Sequence, residues 1–349
     1  MLRRVKRNRW LWLLIVLLPL MLACQAAMRL FTSAPPTSVA TRGAVQVAQA
    51  ATPRPTKHVS CPQEARSLVL AANTQSVLPD RFPSVDTSKS LDVPMVTYNV
   101  NGDSLSAPML SEVPDNLLPY QRDFDKQRAT WELFATMIPR EDRGVLRQFR
   151  IITDGPGGVL SAVEQTNDDP RAWVLDADIA DMNDTKNLAF TLLHEFGHLL
   201  TLGPAQVPPD MQVFNDPNST RARERAAAAC GSYFPGEGCS LADSYLNGFF
   251  NRFWKDIYDR WTAIDTLPDS DSRQEQLQAF YRRHQTEFVD SYAVTSPVED
   301  IAESWAFFVL SPRPTGTSAR DQKLGFFYDY PELIALRERI LSGLCAANP

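Results

Sequence analysis

The sequence predicts an α+β fold in which a small mixed sheet packs on one buried helix and a mainly helical C-terminal lobe follows. Three observations lead to this class. Runs rich in β-branched and aromatic residues, bounded by turn signals, predict strands at 93–100, 148–153 and 171–178. Residues 185–202 form an apolar run of helical length, and further helical segments occupy most of the chain beyond it.

The first 24 residues have the composition of an export signal or a membrane anchor. Five basic side chains within residues 3–9 precede a short apolar run over 10–23, a pattern typical of secretory signals. Cys24 follows Met-Leu-Ala, which resembles a bacterial lipoprotein cleavage site. Lipidation of Cys24, cleavage after a small residue such as Ala27, and retention as an anchor stay open. Each places the remainder outside the cytoplasm, secreted or held at the outer face of the cell membrane.

Residues 25–60 are rich in alanine, threonine and proline and contain no acidic residue. Such a segment cannot bury enough apolar surface to offset chain entropy, so we expect a disordered tether to the membrane. The domain itself is predicted over 61–349, with a strand-bearing lobe at 61–203 and a helical lobe at 204–349. The net charge is −6, and the exported part alone carries −11, which argues against nucleic acid as a partner. We expect a monomer.

Four cysteines beyond Cys24 predict two disulfides in an exported domain. We expect Cys61 to pair with Cys345, which would join the two ends of the domain. Cys230 would pair with Cys239 and close a short loop. Three pairings of four cysteines are possible in principle, and no pair has the CxxC spacing of a second metal site.

The apolar helix over 185–202 carries a metal-binding pattern. Asp184 or Thr185 is suited to cap its start, and a Gly-Pro pair at 203–204 ends it. His194 and His198 are four residues apart and lie on one face, with Glu195 beside them. Before this helix we also predict one long helix over 115–138.

This pattern indicates a catalytic zinc site. Such a site takes three protein ligands and leaves one position for water, whose pKa zinc lowers to about 7. Glu195 can then accept the proton of that water as it attacks a carbonyl. The alternative is a coincidental HExxH sequence in a core helix. Two of only four histidines fall inside the motif, which favours the metal.

The third ligand must come from elsewhere, and residues 291–309 are the best candidate. A helix beginning near Pro297 places Glu299 and Glu303, four residues apart, on one face. One carboxylate can bind metal while the other orients a ligand, and either satisfies a His₂Glu site. We expect His284 at the surface, and Asp300 either to face solvent or to serve as a charge at the helix N-terminus.

HEFGH at 194–198, together with SYxxT and ExxxE over 291–303, resembles the gluzincin metallopeptidases, most closely the catalytic domain of anthrax lethal factor and its relatives. The resemblance implies a zincin-like metallopeptidase fold, one Zn²⁺ ion and hydrolysis of peptide bonds. It also implies that Glu299 is the third zinc ligand and that Glu303 orients a zinc-bound histidine. Tyr292 would donate a hydrogen bond to the developing oxyanion.

The 101 residues from His198 to Glu299 exceed the gap in typical members, which implies an insertion. For it we predict an alanine-rich helix over 220–230, an aromatic helix over 241–264 whose rings pack in the core, and a helix over 270–292. In zinc peptidases of this shape, an edge strand beside the zinc helix often binds substrate by strand addition. By that analogy residues 172–178 are the candidate edge strand; the alternative is a purely structural strand.

The prediction is therefore a zinc metallopeptidase acting on a protein or peptide substrate. His194, His198 and Glu299 are the expected metal ligands, with Glu195 and Tyr292 as catalytic residues. One alternative is a non-catalytic extracellular binding domain that keeps the same fold, and another is a toxin-like secreted effector peptidase. Glu195 counts against the first, because a purely structural zinc site has no use for that carboxylate.

Overall fold

A mixed β-sheet occupies the first part of the chain in the computed structural model, which describes residues 94–153 and 159–347. The strands are β1 (Val96–Asn101), β2 (Ser104–Leu105), β3 (Met109–Leu110), β4 (Leu146–Ile152), β5 (Ser161–Gln165) and β6 (Trp173–Asp178). Their order in the sheet is β2-β1-β4-β6-β5, and β3 also pairs with β1. Strands β4 and β6 are parallel, whereas the other pairs are antiparallel.

The edge of the sheet differs from the prediction. β6, predicted as the edge strand over 172–178, lies between β4 and β5 and is buried along its whole length. The edge strand is β5, a segment for which no strand was predicted. Its sequence, SAVEQ, alternates only weakly and is partly exposed, so it lacks the apolar pattern that marks a strand.

The long helix predicted over 115–138 is broken in the structure. A 3₁₀ turn (Asp115–Leu117) leads into α1 (Leu118–Gln121), and α2 (Phe124–Met137) begins separately. The break occurs because the side chain of Asp123 caps α2 by accepting a hydrogen bond from the backbone N–H of Lys126.

Helix α3 (Thr185–Leu202) has the predicted bounds. The Asp184 side chain accepts hydrogen bonds from the backbone N–H groups of Lys186 and Asn187, and Gly203 is the C-cap. The interior of the helix from Leu188 to Leu199 is buried apart from Thr191, because it packs between the sheet and the helical region. A helix that is apolar on nearly every side is expected at such a position.

The region after α3 is mainly helical, which together with the sheet makes an α+β fold. The predicted aromatic helix over 241–264 is two helices, and the helix predicted over 270–292 ends at His284. The helices are α4 (Met211–Asn215), α5 (Thr220–Ala229), α6 (Tyr245–Phe253), α7 (Tyr258–Asp265), α8 (Ser270–His284), α9 (Pro297–Leu310), α10 (Ala319–Phe326) and α11 (Pro331–Ala347), with 3₁₀ turns at Arg140–Arg143, Ala293–Thr295 and Phe327–Asp329.

The aromatic residues of this region form a core, as predicted. Trp254 is fully buried, and its ring lies 5.8 Å from that of Trp261 and 5.6 Å from that of Phe288, both edge-on. Edge-to-face contacts of this kind add to the stabilisation from burial. The rings therefore hold α6 and α7 against the segment that precedes α9.

The disulfide between Cys230 and Cys239 is confirmed. Cys345 is also disulfide-bonded, but its predicted partner Cys61 lies outside the described residues, as do the export segment at 1–24 with Cys24 and the tether at 25–60. Within 94–153 and 159–347, no helix has the length and apolar character needed to span a membrane.

Candidate metal centre

Three side chains from two helices converge on one buried point. His194 and His198 come from α3 and Glu299 from the first turn of α9. The Nε2 atoms of the two histidines are 3.0 Å apart, and Glu299 Oε2 lies 3.0 Å from His194 Nε2 and 3.2 Å from His198 Nε2. These residues form a group that could bind a metal ion.

The separations fit one small cation. An ion with tetrahedral bonds of about 2.0–2.1 Å holds its ligand atoms about 3.3–3.4 Å apart. The three observed separations are about 0.1–0.4 Å shorter than this, so a slight spreading of the side chains admits the ion. Glu299 Oε2 is buried and contacts the same two imidazole nitrogens, without an aligned hydrogen bond to either. A buried carboxylate oxygen beside two nitrogen ligand atoms favours a cation at the shared point.

The charges of the group support this conclusion. Burial lowers the pKa of His194, but Glu303 and Glu299 outweigh burial and hold that pKa well above its ordinary value. Burial raises the pKa of Glu299, but His198 and His194 outweigh burial and hold that pKa below its ordinary range. These carboxylates favour the protonated imidazole, so a metal ion has to displace that proton before His194 can be a ligand.

Glu303 lies on the other side of His194 from Glu299. Its Oε1 atom is 3.2 Å from His194 Nδ1, and both side chains are buried. The contact is an ion pair rather than an aligned hydrogen bond, and a carboxylate at this distance favours a ring orientation that directs Nε2 toward the shared point. The geometry thus separates the two glutamates that spacing alone left equivalent.

Helices α3 and α9 lie in close contact, which brings Glu299 to the metal group. A Cβ atom on Gly197 would lie 3.0 Å from Ala302 Cα and 3.2 Å from the Trp305 ring, so glycine permits the approach. At the start of α9, Ser296 accepts a hydrogen bond of 3.1 Å from the Glu299 backbone N–H. This cap places Glu299 in the first turn, beside the two histidines.

Asp300, predicted to face solvent or to serve as a helix N-terminal charge, lies in the first turn of α9 but is fully buried. Its Oδ2 atom lies 2.6 Å from Lys323 Nζ and accepts a 2.7 Å hydrogen bond from Trp254 Nε1. The Lys323 ammonium also lies 3.7 Å from the centre of the Phe288 ring. These contacts join α9 to α6 and α10, and so hold the helix that carries Glu299.

Glu195 is a buried carboxylate within the electrostatic field of the metal group. Burial raises its pKa to about 7, against the lowering effect of His194 and His198. A carboxyl with a pKa near neutrality can accept a proton and later return it.

Tyr292 lies at the mouth of the site, 36% exposed, with its ring centre 5.7 Å from that of His194. The negative charge of Glu299, followed by burial, holds the pKa of Tyr292 well above its ordinary value, so the hydroxyl keeps its proton. Asp290 fixes the backbone at this point, because its Oδ1 atom accepts hydrogen bonds of 3.0 Å from the N–H groups of Tyr292 and Ala293.

Two features lie apart from the metal group. His284, predicted at the surface, is buried, and its Nδ1 atom pairs with Glu287 Oε1 at 2.8 Å. A cavity of about 480 Å³ lined by Tyr98, Arg128 and Trp131, among others, contains none of the metal-group residues.

Spacing arguments did not find Asp290 or Lys323. Lys323 pairs with a residue 23 positions earlier, and no periodic pattern connects the two. Asp290 lies two residues before Tyr292, a spacing at which aspartate commonly forms an Asx turn. That spacing is a sequence signal from which the role of Asp290 could have been predicted.

Comparison of the chain with protein-family models, with curated proteins and with solved structures found no match in any of the three.

Proposed function

We propose that this protein is a zinc-dependent peptidase with a zincin-like fold, hydrolysing peptide bonds outside the cytoplasm. The convergence of His194, His198 and Glu299 on one buried point, with Glu195 beside it, carries the proposal. The donor set of two imidazoles and one carboxylate matches catalytic zinc sites, which leave a position open for water.

Each residue has a defined role in this proposal. Zinc, when bound, supplies a Lewis acid that polarises the carbonyl and acidifies a water molecule. Glu195 would accept a proton from the attacking water and pass it to the leaving amine. The Tyr292 hydroxyl, which keeps its proton, donates a hydrogen bond to the oxygen that becomes negative. Glu303 fixes the ring of His194.

The outer edge of β5, which pairs with no other strand in the described part of the chain, supports a peptide as substrate. Asp178 N–H donates to Leu160 O and Thr166 N–H to Ala172 O, so the even-numbered residues of β5 face β6. The backbone groups of Ser161, Val163 and Gln165 therefore point away from the sheet. β5 also packs beside α3, so an extended peptide added to this edge would lie next to the metal group.

The disulfide between Cys230 and Cys239 supports the extracytoplasmic location, because disulfides persist in oxidising compartments. The predicted tether to a membrane through residues 1–60 belongs to the same proposal, as does the monomeric state.

Glu195→Gln tests the function. The purified full-length chain is loaded with zinc and incubated with a fluorescence-quenched peptide library. We expect the wild type to cleave members of the library. Glu195→Gln should keep its zinc and its unfolding temperature while losing hydrolysis. Glu224→Gln, an exposed change on α5, is the matched control. Cleavage at the wild-type rate by Glu195→Gln would remove Glu195 from the mechanism, and zinc binding without any cleavage by the wild type would favour a binding domain.

A further inference from the structure

Tyr292 occupies an exposed position that packing alone does not hold. Its side chain is 36% exposed, although its ring centre lies only 5.7 Å from that of His194. An exposed side chain loses conformational entropy when it is confined to one position, so other contacts have to fix it. Its neighbours Ser291, Ala293 and Val294 are all buried. The backbone around Tyr292 is therefore the part of the chain that can place the ring.

Two side chains bind the backbone groups of Tyr292 itself. On one side, Asp290 Oδ1 accepts hydrogen bonds of 3.0 Å from the N–H groups of Tyr292 and Ala293. On the other side, Thr295 Oγ1 donates a 2.8 Å hydrogen bond to Tyr292 O, which also accepts one of 3.0 Å from the Thr295 N–H. Both polar groups of the Tyr292 backbone are thus held by side chains.

A third contact fixes the turn that follows Tyr292 to the helical region. Trp261, on α7, donates a buried hydrogen bond of 3.0 Å from Nε1 to Val294 O. The Trp261 ring is itself held in the aromatic core, because its centre lies 5.8 Å from that of Trp254 and 5.6 Å from that of Tyr258. The predicted insertion therefore supports the segment that carries Tyr292.

We propose that Asp290 and Thr295 are positioning residues, which hold the Tyr292 ring beside His194 before any substrate binds. Each acts through the backbone of Tyr292, and Trp261 supports the same turn from α7. A hydrogen-bond donor that is fixed in advance costs no reorganisation when negative charge forms on the substrate oxygen. The inference deepens the proposed function, on whose assignment of Tyr292 it rests.

The position of Tyr292 can be measured without any activity. Fluorotyrosine is incorporated in place of Tyr292 in the full-length chain, and its fluorine NMR resonance is recorded with and without zinc. We expect a resonance displaced from that of the unfolded chain, because the ring is held close to His194. Thr295→Val removes the hydroxyl with little change of shape and should move the resonance toward the unfolded position or broaden it. Thr295→Ser keeps a hydroxyl and should restore the wild-type resonance.

Thr266→Val is the matched control. It removes the same kind of hydrogen bond, from Thr266 Oγ1 to Thr262 O at 2.8 Å, at the end of α7. It should leave the fluorine resonance unchanged. Asp290→Asn keeps an acceptor oxygen and should resemble the wild type, whereas Asp290→Ala should move the resonance. Wild-type resonances in both Thr295→Val and Asp290→Ala would overturn the proposal, whatever their unfolding temperatures.

Turnover of a cleaved peptide is the second measurement. Tyr292→Phe should lower kcat on the order of 100-fold, as expected for the loss of one oxyanion donor. Thr295→Val should lower kcat roughly 2–10-fold with little change in KM, the range expected for one lost hydrogen bond. When Tyr292→Phe is present, Thr295→Val should have no further effect, because no hydroxyl is left to position. An equal loss in both backgrounds would contradict the proposal.

The proposed function fails separately. A wild type that binds zinc and cleaves no peptide refutes the peptidase, while the fluorine resonance still tests how Tyr292 is held. A wild-type resonance at the position of the unfolded chain would overturn the positioning, even in a chain that cleaves peptides.

Discussion

Replacing Glu303 should weaken metal binding without removing a ligand. Glu303 Oε1 lies 3.2 Å from His194 Nδ1, and the two side chains are only 7% and 6% exposed. Solvent therefore screens the contact little. Removing a carboxylate that orients a metal-binding histidine typically costs 10–100-fold in affinity, which is about 1.4–2.7 kcal/mol.

We expect Glu303→Ala to weaken zinc binding within this range, and Glu303→Gln to weaken it less because the amide oxygen can still accept from Nδ1. Glu299→Ala should cause a larger loss than either, because it removes a metal-binding atom. The assay is a competition titration against a chromophoric chelator at fixed pH.

Glu287→Gln is a matched control. It alters the same kind of contact, between His284 Nδ1 and Glu287 Oε1 at 2.8 Å, outside the metal group. Its zinc affinity should equal that of the wild type. Wild-type affinity in Glu303→Ala would refute the orienting role of Glu303. If Glu303→Ala lost zinc completely while Glu299→Ala retained it, the two glutamates would exchange roles.

Three further predictions concern packing, the buried ion pair and pH. Gly197→Ala gains about 1 kcal/mol of helix propensity but places a Cβ 3.0 Å from Ala302 Cα. Overpacking costs about 1–3 kcal/mol, so the free energy of unfolding measured in urea should fall by up to about 2 kcal/mol. Zinc affinity should also fall. If neither quantity changed, α9 would be able to move aside freely. Lys323→Met leaves Asp300 buried without its cation and should lower the free energy of unfolding by about 3–5 kcal/mol, with part recovered by adding Asp300→Asn; an unaltered urea midpoint would contradict the importance of the pair. The raised pKa of His194 stabilises the metal-free fold fully below its ordinary pKa of 6.5, and this contribution is lost as pH rises through the raised value. Zinc affinity should increase over the same rise in pH, by up to about tenfold per pH unit if one proton is released on binding. An affinity independent of pH would show that zinc binding releases no proton.

The sequence predicts the two helices of the metal group well because their signals are local. Asp184 and Gly203 bound α3, and Ser296 with Pro297 begins α9, so caps and spacing were enough. The strand β5 was not predicted because, as an edge strand, it is only partly buried and its sequence shows no clear alternation of apolar and polar residues. Residues 241–264 form two helices, but their aromatic pattern continues across the break between these helices and therefore predicts a single one.

Tertiary partners account for the other differences. Asp300 is charged and near a helix start, which suggests a solvent-facing side chain or a charge at the helix N-terminus, but Lys323 and Trp254 from distant segments compensate its burial. Spacing within one helix cannot report such contacts.

Zinc content and peptide cleavage, measured together on the same preparations, test the central claim most directly. The full-length wild type, His194→Ala and Glu195→Gln are purified, incubated with zinc, desalted and assayed with the peptide library. The account predicts near-stoichiometric zinc with cleavage in the wild type, neither in His194→Ala, and zinc without cleavage in Glu195→Gln. A wild type that retains no zinc would contradict the metal centre and the activity built on it.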